Sequence, residues 1–273
     1  MPELPEVETI RRELEPLLVG RIIERVRIHV GAERLAINYT PRALELALTG
    51  RRIETLRRHG KYLLAGLNDG RTWVVHLRMS GEFIHTTNDA SPHRFERARV
   101  EFDDGASLRL NDMRKFATWH LVADLSEAMR HTGPDALSTE CSVTWLRASF
   151  ARRSVAVKTA LLDQRVIAGV GNIYADEACW LARIDPRVPA RTLSDRQVAR
   201  LHAAILRTLI VSLEHGGSAF DDWDGLSAAN VDPTHISVFR RDGRPCERCG
   251  HDIIKVRVGG RGTHLCPYCC SPA

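Results

Sequence analysis

Apolar residues near the amino end of the chain recur at steps of three and four positions, which is typical of an amphipathic helix with one buried face. The residues in this pattern are Leu4, Val7, Ile10, Leu14, Leu17 and Leu18. Pro5 falls in the first turn, where a missing backbone N–H costs nothing, and Gly20 follows the last periodic residue. The pattern therefore predicts a helix that ends before Gly20 and has Pro2 at its entrance.

Between Arg21 and about Asp124 the pattern changes to short β-rich runs separated by turn residues, such as the Asn-Asp-Gly sequence at 68–70. The runs are 22–30, 62–67, 72–77, 98–102 and 117–122, and one further helix is predicted over 40–49. Regularly spaced short strands favour a β-sandwich or a barrel. From 126 to 215 the spacing is helical, as in 143–150 and 197–214, and from 236 onward it returns to short strands.

The chain has 273 residues, which is long enough for two or three packed units. Its 44% hydrophobic and 27% charged residues indicate a soluble globular protein. The net charge of +5 and the isoelectric point of about 9.0 favour a polyanionic partner. No run approaches the roughly eighteen apolar residues of a membrane helix, and the acidic amino end lacks the layout of a signal peptide. We therefore expect a cytoplasmic, intracellular protein with no membrane partner.

Four cysteines form two C-x-x-C pairs, Cys246 with Cys249 and Cys266 with Cys269, which are sixteen residues apart. Two such pairs supply the four thiolates of a tetrahedral zinc site. Because cysteine fills every position, no site is left for water, so the sequence predicts one structural Zn²⁺ and no organic cofactor. Two disulfides in a secreted tail are the alternative. Cys270 is an alternative fourth ligand, although the two-residue spacing favours Cys269.

The run 255–263 lies between the two pairs and contains Gly259 and Gly260 with basic residues on both sides. This predicts a β-hairpin with Arg261 next to its turn. A solvated hairpin and a hairpin whose arginine contacts DNA phosphate are equally compatible with the sequence.

Removal of Met1 would leave Pro2 with a free secondary amine. An α-amino group has a reference pKa of roughly 8, well below that of lysine, so more of it is unprotonated at neutral pH. Attack of such an amine on a sugar aldehyde carbon gives a cationic iminium, which promotes elimination of the flanking phosphates. Glu3 is adjacent for proton transfer. Composition alone favours another interpretation, in which the acidic first turn only complements the helix dipole.

Several segments, in a fixed order along the chain, favour the nucleophilic role of Pro2 over the interpretation based on the helix dipole. They are PELPEVET at 2–9, RHGKYLL at 58–64, HLRMSG at 76–81, NDMRKF at 111–116 and GVGNIYADE at 169–177, followed by the cysteine hairpin. Together they resemble bacterial formamidopyrimidine-DNA glycosylases, relatives of endonuclease VIII, over nearly the whole chain. The resemblance implies an α+β fold with three domains. These are an N-terminal catalytic β-sandwich with flanking helices over 1–125, a helical helix–two-turns–helix DNA-binding domain over 126–235, and a zinc-finger β-hairpin over 236–273.

The resemblance also implies roles for individual residues. The catalytic residues would be Pro2, Glu3, Lys61 and Arg261. The DNA-binding residues would be His76, Met79, His93, Arg114, Phe116, Lys158, Asn172 and Arg261. Met79, Arg114 and Phe116 would fill the gap left by an extruded base, because a base inside a duplex is unreachable. Ordinary roles stay open, with Met79 and Phe116 as packing residues and His76 and Lys158 as buried residues without a DNA contact.

The implied function is that of a bifunctional DNA glycosylase and abasic-site lyase of base-excision repair. It would act as a monomer on damaged double-stranded DNA, associated with the nucleoid in a bacterium, remove oxidised purines such as 8-oxoguanine and formamidopyrimidine, and cut the strand by β,δ-elimination. Two departures leave alternatives open. Met113 and Ala117 replace a proline and a glycine of the family loop, and the usual lesion-covering sequence is missing from 216–241. The alternatives are the same chemistry on oxidised pyrimidines or on abasic sites only, and a non-catalytic damage-binding protein.

Overall fold

The computed structural model describes residues 2–87, 93–217 and 235–270. The described residues form two compact units. Unit 1 contains Pro2 and the described part of 6–130, and unit 2 contains 3–5, 131–217 and 235–270. Of the departure from the family sequence over 216–241, residues 218–234 lie outside the described residues.

Unit 1 is built on two four-stranded antiparallel sheets. The strands are β1 (Ile23–Ile28), β2 (Ile53–His59), β3 (Tyr62–Leu67), β4 (Thr72–His76), β5 (Gly81–Thr86), β6 (Glu96–Phe102), β7 (Ser107–Asp112) and β8 (Thr118–Val122). One sheet has the order β1-β6-β7-β5 and the other β2-β3-β4-β8. The helices are α1 (Leu4–Leu18), whose first two residues belong to unit 2, α2 (Pro41–Leu48) and α3 (Leu125–Met129).

One apolar core lies between the two sheets, which confirms the predicted sandwich. Trp73 on β4 and Trp119 on β8 meet edge to face, with ring centroids 4.8 Å apart. Phe83 and Phe102 from the other sheet are buried in the same cluster, together with the apolar stripe of α1. The helix predicted from the first eighteen residues therefore covers the sandwich core.

Each of the five predicted β-runs overlaps a strand, and the helix predicted over 40–49 is α2. The sequence pattern does not predict β2, β5 or β7. In β7 all six residues are buried even though Arg109, Asn111 and Asp112 are polar. Leu108 and Leu110 alternate with polar residues, as in a strand with one buried face, so the sequence does not indicate that the polar positions of β7 are buried as well.

The described part of unit 2 contains four helices and the cysteine hairpin. The elements are α4 (Val143–Phe150), α5 (Val157–Leu162), α6 (Asn172–Leu181), α7 (Asp195–Glu214), β9 (Ile254–Val258) and β10 (Arg261–Leu265). Ser194 and Gln197 form a capping box at the start of α7. Among the described residues the hairpin belongs to this unit and forms no compact unit of its own. No helix in the described ranges has the length and apolar character that crossing a membrane requires.

Candidate active site and nucleic-acid interface

The carboxylate of Glu3 lies at the first turn of α6. Its Oε2 accepts hydrogen bonds from Gly171 N at 2.8 Å and Tyr174 N at 3.4 Å, and its Oε1 accepts one from Ile173 N at 3.0 Å. Glu3 is only 2% exposed. A helix N-terminus offers unpaired N–H groups and a partial positive charge, so it is a suitable place for a buried negative charge. The contact joins two sequence motifs that lie 168 residues apart.

The glycines of the 169–172 run are explained by this contact. A Cβ at Gly171 would lie 2.3 Å from Glu3 Cδ, and a Cβ at Gly169 would lie 2.5 Å from Leu4 Cδ1. Leu4 N also donates to Gly169 O at 3.1 Å. The run is therefore glycine-rich because the amino-terminal segment packs directly against its backbone. Pro2, the predicted nucleophile, is buried and immediately precedes Glu3.

Lys61 and His76 lie close together in one sheet of unit 1, because Lys61 precedes Tyr62, which pairs with His76 across β3 and β4. Both side chains are buried. His76 Nδ1 accepts a hydrogen bond from Arg78 N at 2.9 Å, so in the neutral ring the proton is on Nε2. Burial and the positive charges of Arg78, Lys61 and His120 lower the pKa of His76 from 6.5 to about 3. His76 is thus a neutral hydrogen-bond donor at physiological pH.

A hydrogen bond between Ser80 and Asp112 joins two turns. One turn carries Met79, and the other carries Arg114 and Phe116. Asp112 Oδ1 accepts a hydrogen bond from Ser80 Oγ at 2.5 Å, and its Oδ2 accepts one from Phe116 N at 2.6 Å. Ser80 Oγ also accepts from Arg114 N at 3.2 Å. The Arg114 Cζ atom lies 5.0 Å from the centroid of the Phe116 ring, and Phe116 is 48% exposed. The buried Asp112 therefore fixes the turn from which an exposed arginine and phenylalanine extend.

The two replacements in this turn occupy different environments. Met113 is exposed, whereas Ala117 is buried and donates its N–H to Asp112 Oδ2 at 2.8 Å. Lys115 takes the left-handed conformation, with φ at 58°. The turn is closed by side-chain acceptors and one left-handed residue, without the family's proline and glycine.

His93 is exposed and follows directly after residues 88–92, which the structure does not describe. Its Nδ1 accepts a hydrogen bond from Phe95 N at 3.3 Å, and the two rings meet edge to face with centroids 5.5 Å apart. This position leaves the imidazole accessible to a ligand.

Lys158 is fully buried, which favours the alternative that it is a buried residue without a DNA contact. Its Nζ lies 2.7 Å from Asp176 Oδ1 and donates to Gly262 O and Thr263 Oγ1, each at 2.8 Å. Two of the three ammonium donors thus go to the hairpin, and the charge is paired with the Asp176 carboxylate. The side chain therefore ties α5 to α6 and to the hairpin, and it presents no charge at the surface.

Asn172 and Arg261 are brought to the same region of unit 2 by the hairpin. Asn172 is the first residue of α6, and its Nδ2 donates to Gly262 O at 3.2 Å. Arg261 precedes that glycine at the start of β10 and is exposed. A Cβ at Gly259 in the hairpin turn would lie 2.4 Å from Thr159 Oγ1, so the turn packs closely against α5. The two predicted phosphate ligands are thus adjacent although the sequence separates them.

The cysteine residues fit the predicted zinc site. The Sγ atoms of Cys246, Cys249, Cys266 and Cys269 all lie within 4.8 Å of one another. Tetrahedral zinc with sulfur ligands at about 2.3 Å implies sulfur separations of about 3.8 Å. The measured separations are 3.9 Å between Cys246 and Cys269 and 3.4 Å between Cys249 and Cys266. Cys270 is outside this cluster, so the geometry supports Cys269 as the fourth ligand.

The surroundings of Cys246 favour its thiolate form. Trp180 Nε1 donates to Cys246 Sγ at 3.4 Å, and the guanidinium of Arg248 lies 4.1 Å above the Trp180 ring. Burial acts in the opposite direction, but the N–H groups of Trp180, Arg248 and Cys249 bring the pKa of Cys246 down to about 6. A metal ligand must be deprotonated, so this environment fits a bound zinc ion.

The sequence pattern does not indicate three buried carboxylates that fix predicted site residues within their own units, namely Asp112 in unit 1 and Asp176 and Glu177 in unit 2. Glu177 accepts hydrogen bonds from Ser237 N and Val238 N at 2.9 Å and from Phe239 N at 2.8 Å. Burial raises the pKa of Glu177 to about 7, although these three N–H groups oppose the shift. Two adjacent acidic residues in the otherwise apolar α6 are the sequence feature that points to these roles.

Three family models match this chain in order. They are the formamidopyrimidine-DNA glycosylase N-terminal domain over residues 1–119, the formamidopyrimidine-DNA glycosylase H2TH domain over 132–223, and the zinc finger found in FPG and IleRS over 243–271. This order is that of a DNA glycosylase with a helix–two-turns–helix domain and a carboxyl-terminal zinc finger. Within that class, the chain belongs to the formamidopyrimidine-DNA glycosylase family.

Individual relatives agree with this assignment. The formamidopyrimidine-DNA glycosylase of Herpetosiphon aurantiacus is 39% identical, over 98% of this chain and 99% of the relative. That of Symbiobacterium thermophilum is 42% identical, over 98% and 89%. The structure of Lactococcus lactis Fpg in complex with DNA containing an abasic site has a TM-score of 0.92 and 33% identity, and covers 99% of this chain and 100% of that one.

Proposed function

We propose that this protein removes oxidised purines from double-stranded DNA and cuts the strand at the resulting abasic site, with Pro2 as the nucleophile. The position of Glu3 carries the proposal, because its buried carboxylate is fixed at the start of α6 directly beside Pro2 in the chain. The relatives named formamidopyrimidine-DNA glycosylase and the L. lactis complex with abasic-site DNA support the same chemistry. The enzyme would act as a monomer in the cytoplasm, at the nucleoid of a bacterial cell.

After loss of Met1, the Pro2 nitrogen attacks the sugar carbon C1′, and the bond from C1′ to the base nitrogen breaks. The base leaves with the bonding electron pair and takes up a proton, and opening of the sugar ring gives an iminium between Pro2 and C1′. Loss of a proton from C2′ then expels the 3′ phosphate, and a second elimination expels the 5′ phosphate. Glu3 moves the protons at the sugar and the leaving base. Hydrolysis of the iminium returns the free amine.

The remaining predicted residues hold the DNA around this reaction. Met79, Arg114 and Phe116 occupy the space left by the extruded base, where apolar wedges offset part of the cost of unstacking. The phosphates near the lesion are held by Lys61, His76, His93, Asn172 and Arg261. Lys158 acts indirectly, since it positions the Gly262 carbonyl that Asn172 also contacts. Zinc bound by the four cysteines supplies rigidity to the hairpin that carries Arg261.

Borohydride trapping tests the nucleophile. We expect a covalent adduct with duplexes that carry an abasic site or 8-oxoguanine, located at Pro2 by peptide mass spectrometry, and a weaker one with an oxidised pyrimidine. The matched control is the same chain with Met1 retained, in which the Pro2 nitrogen is an amide and gives no adduct. Absence of an adduct from protein whose first residue is shown to be Pro2 would defeat the proposal, and equal trapping by all base lesions would defeat the purine preference.

The substitution Gly171→Ala tests whether base release requires the observed position of the Glu3 carboxylate. The added methyl group displaces the Glu3 carboxylate without removing it, so we expect base release to slow by on the order of 10²-fold, as when a positioned acid–base group is lost. Gly105→Ala is the control for a general loss of stability, since Gly105 has a left-handed φ of 80° that disfavours alanine but has no atom near its Cβ position and lies far from Glu3 in the sequence. Single-turnover base release measures both, and a Gly171→Ala variant as fast as the control would show that this position of Glu3 is not required.

A further inference from the structure

We propose that a basic cavity in unit 1 binds a phosphate of the DNA strand opposite the lesion. The cavity has a volume of about 240 Å³ and lies beside the turn that carries Arg114 and Phe116. At about 30 Å³ per water molecule, this is room for a phosphate group with parts of its sugars. The inference rests on the proposed function, because it takes the DNA to be held around that turn.

Three parts of unit 1 form the walls of this cavity. The segment 31–35, between β1 and α2, supplies Arg34, the strand β6 supplies Arg97, and the turn at 112–117 supplies Arg114 and Lys115. Lys115 Nζ lies over the Gly31 backbone, since a Cβ built on that glycine would be 3.3 Å away from it. Arg97 Nε donates to the carbonyl oxygen of Asp112 at 2.8 Å, so its guanidinium is held against the turn.

The charges around the cavity are mainly positive. Four cations line it, against the two acids Glu33 and Asp112. The Asp112 carboxylate is buried and accepts hydrogen bonds from its own turn, and Glu33 Oε1 accepts one from Gly31 N at 2.7 Å. Both acids are thus engaged in local hydrogen bonds. A cavity with this lining selects a monoanion with several acceptor oxygens, and a phosphodiester has that chemistry.

The strand opposite the lesion is the source that this geometry favours. Arg114 lines the cavity and, in the proposed function, occupies the space left by the extruded base, opposite the base that is left unpaired. Successive nucleotides of one strand rise by about 3.4 Å, so a phosphate next to the unpaired nucleotide lies within reach of the same turn. The phosphates of the lesion strand are already assigned to other residues.

The test is a double-mutant cycle between Arg34→Gln and single methylphosphonates, which remove the charge of one phosphate at a time. Arg34 is exposed and has no other assigned role. With an uncleavable abasic-analogue duplex, we expect Arg34→Gln to weaken binding by about tenfold and to reduce the salt slope by about one. Neutralising one phosphate beside the unpaired nucleotide should abolish the difference between the variant and the wild type. Arg25→Gln is the control, an exposed arginine of the same unit outside the cavity lining.

The following outcomes would overturn the inference. A loss of binding that persists at every neutralised position of the opposite strand, or that Arg25→Gln reproduces, would assign no such phosphate to the cavity. Competition by inorganic phosphate at constant ionic strength, with no effect of the methylphosphonates, would assign the cavity to free phosphate instead. Trapping of Pro2 on a single-stranded abasic oligonucleotide separates the two proposals, because it reports on the reaction and does not involve the opposite strand.

Discussion

At the scale of single residues, the charge of His76 determines how it can contact DNA. A histidine beside a phosphate is usually taken to contribute a positive charge, but this ring is buried next to Lys61 and Arg78, which hold its pKa at about 3. Its Nδ1 is already an acceptor for Arg78 N. His76 can therefore donate from Nε2 to a phosphate oxygen, and it adds no counterion release to DNA binding.

This charge state predicts how stability depends on pH. Above about pH 6.5 the residue is neutral in both the folded and the unfolded chain, whereas at lower pH only the unfolded chain takes up the proton. The free energy of unfolding should therefore fall as the pH decreases from about 6.5 toward 3, by at most about 1.4 kcal/mol per pH unit from this group. His76→Asn, whose Oδ1 can still accept from Arg78 N, should reduce that slope. Urea unfolding at several pH values measures it, and identical slopes in the two proteins would contradict the assignment.

At the scale of secondary-structure elements, α6 is the element on which unit 2 is organised. Its first turn holds Glu3, and Asp176 and Glu177 in its second turn hold the hairpin and the segment 237–239. Three consecutive backbone N–H groups of that segment donate to the Glu177 carboxylate. A buried N–H without a partner costs about 1–3 kcal/mol, so this carboxylate fixes the start of the carboxyl-terminal region.

The change Glu177→Gln tests this anchor. The amide keeps one oxygen acceptor but turns an NH2 donor toward the same N–H groups, so at least one of them loses its partner. We expect unfolding to become easier by about 1–3 kcal/mol, with faster hydrogen exchange at 237–239. The exposed Glu140→Gln makes the same chemical change without such partners and should have little effect. Unchanged exchange at 237–239 in the Glu177 variant would rule out the anchoring role.

How far the sequence predicts these features depends on whether their cause is local. Periodicity predicts α1, β-rich runs bounded by turn residues predict five of the strands, and cysteine spacing predicts the metal ligands, because each of these patterns lies within one segment. The partnership of Glu3 with Gly171 N links positions 168 residues apart, and nothing near either residue encodes it. Asp112 and Asp176 are missed for the same reason. From the sequence alone an acidic residue is expected at the surface, because its burial depends on N–H partners that are distant along the chain.

At the scale of the whole molecule, unit 2 is assembled from three separate stretches of chain, 3–5, 131–217 and 235–270. The buried pair of Lys158 and Asp176 lies where two of these stretches meet. Lys158 Nζ binds the hairpin through Gly262 and Thr263, and Asp176 Oδ2 accepts from His264 N at 2.9 Å. Since Asn172 and Arg261 depend on the same hairpin, the pair controls where two predicted phosphate ligands are placed.

Removing one partner of this pair should therefore lower the stability of the free protein, and any effect on DNA binding should follow from that loss of stability. Lys158→Met leaves the Asp176 carboxylate buried without its cation, and breaking a buried pair in this way costs about 3–5 kcal/mol. We expect lower thermal stability and faster hydrogen exchange in 254–265, and a smaller loss in a Lys158→Met, Asp176→Asn double variant, which leaves no unpaired charge and keeps an oxygen acceptor for His264 N. Calorimetry and hydrogen exchange measure this without DNA. Weaker DNA binding at unchanged stability would instead show that Lys158 contacts DNA directly, which its complete burial, its ion pair with Asp176 and its two hydrogen bonds to the hairpin argue against.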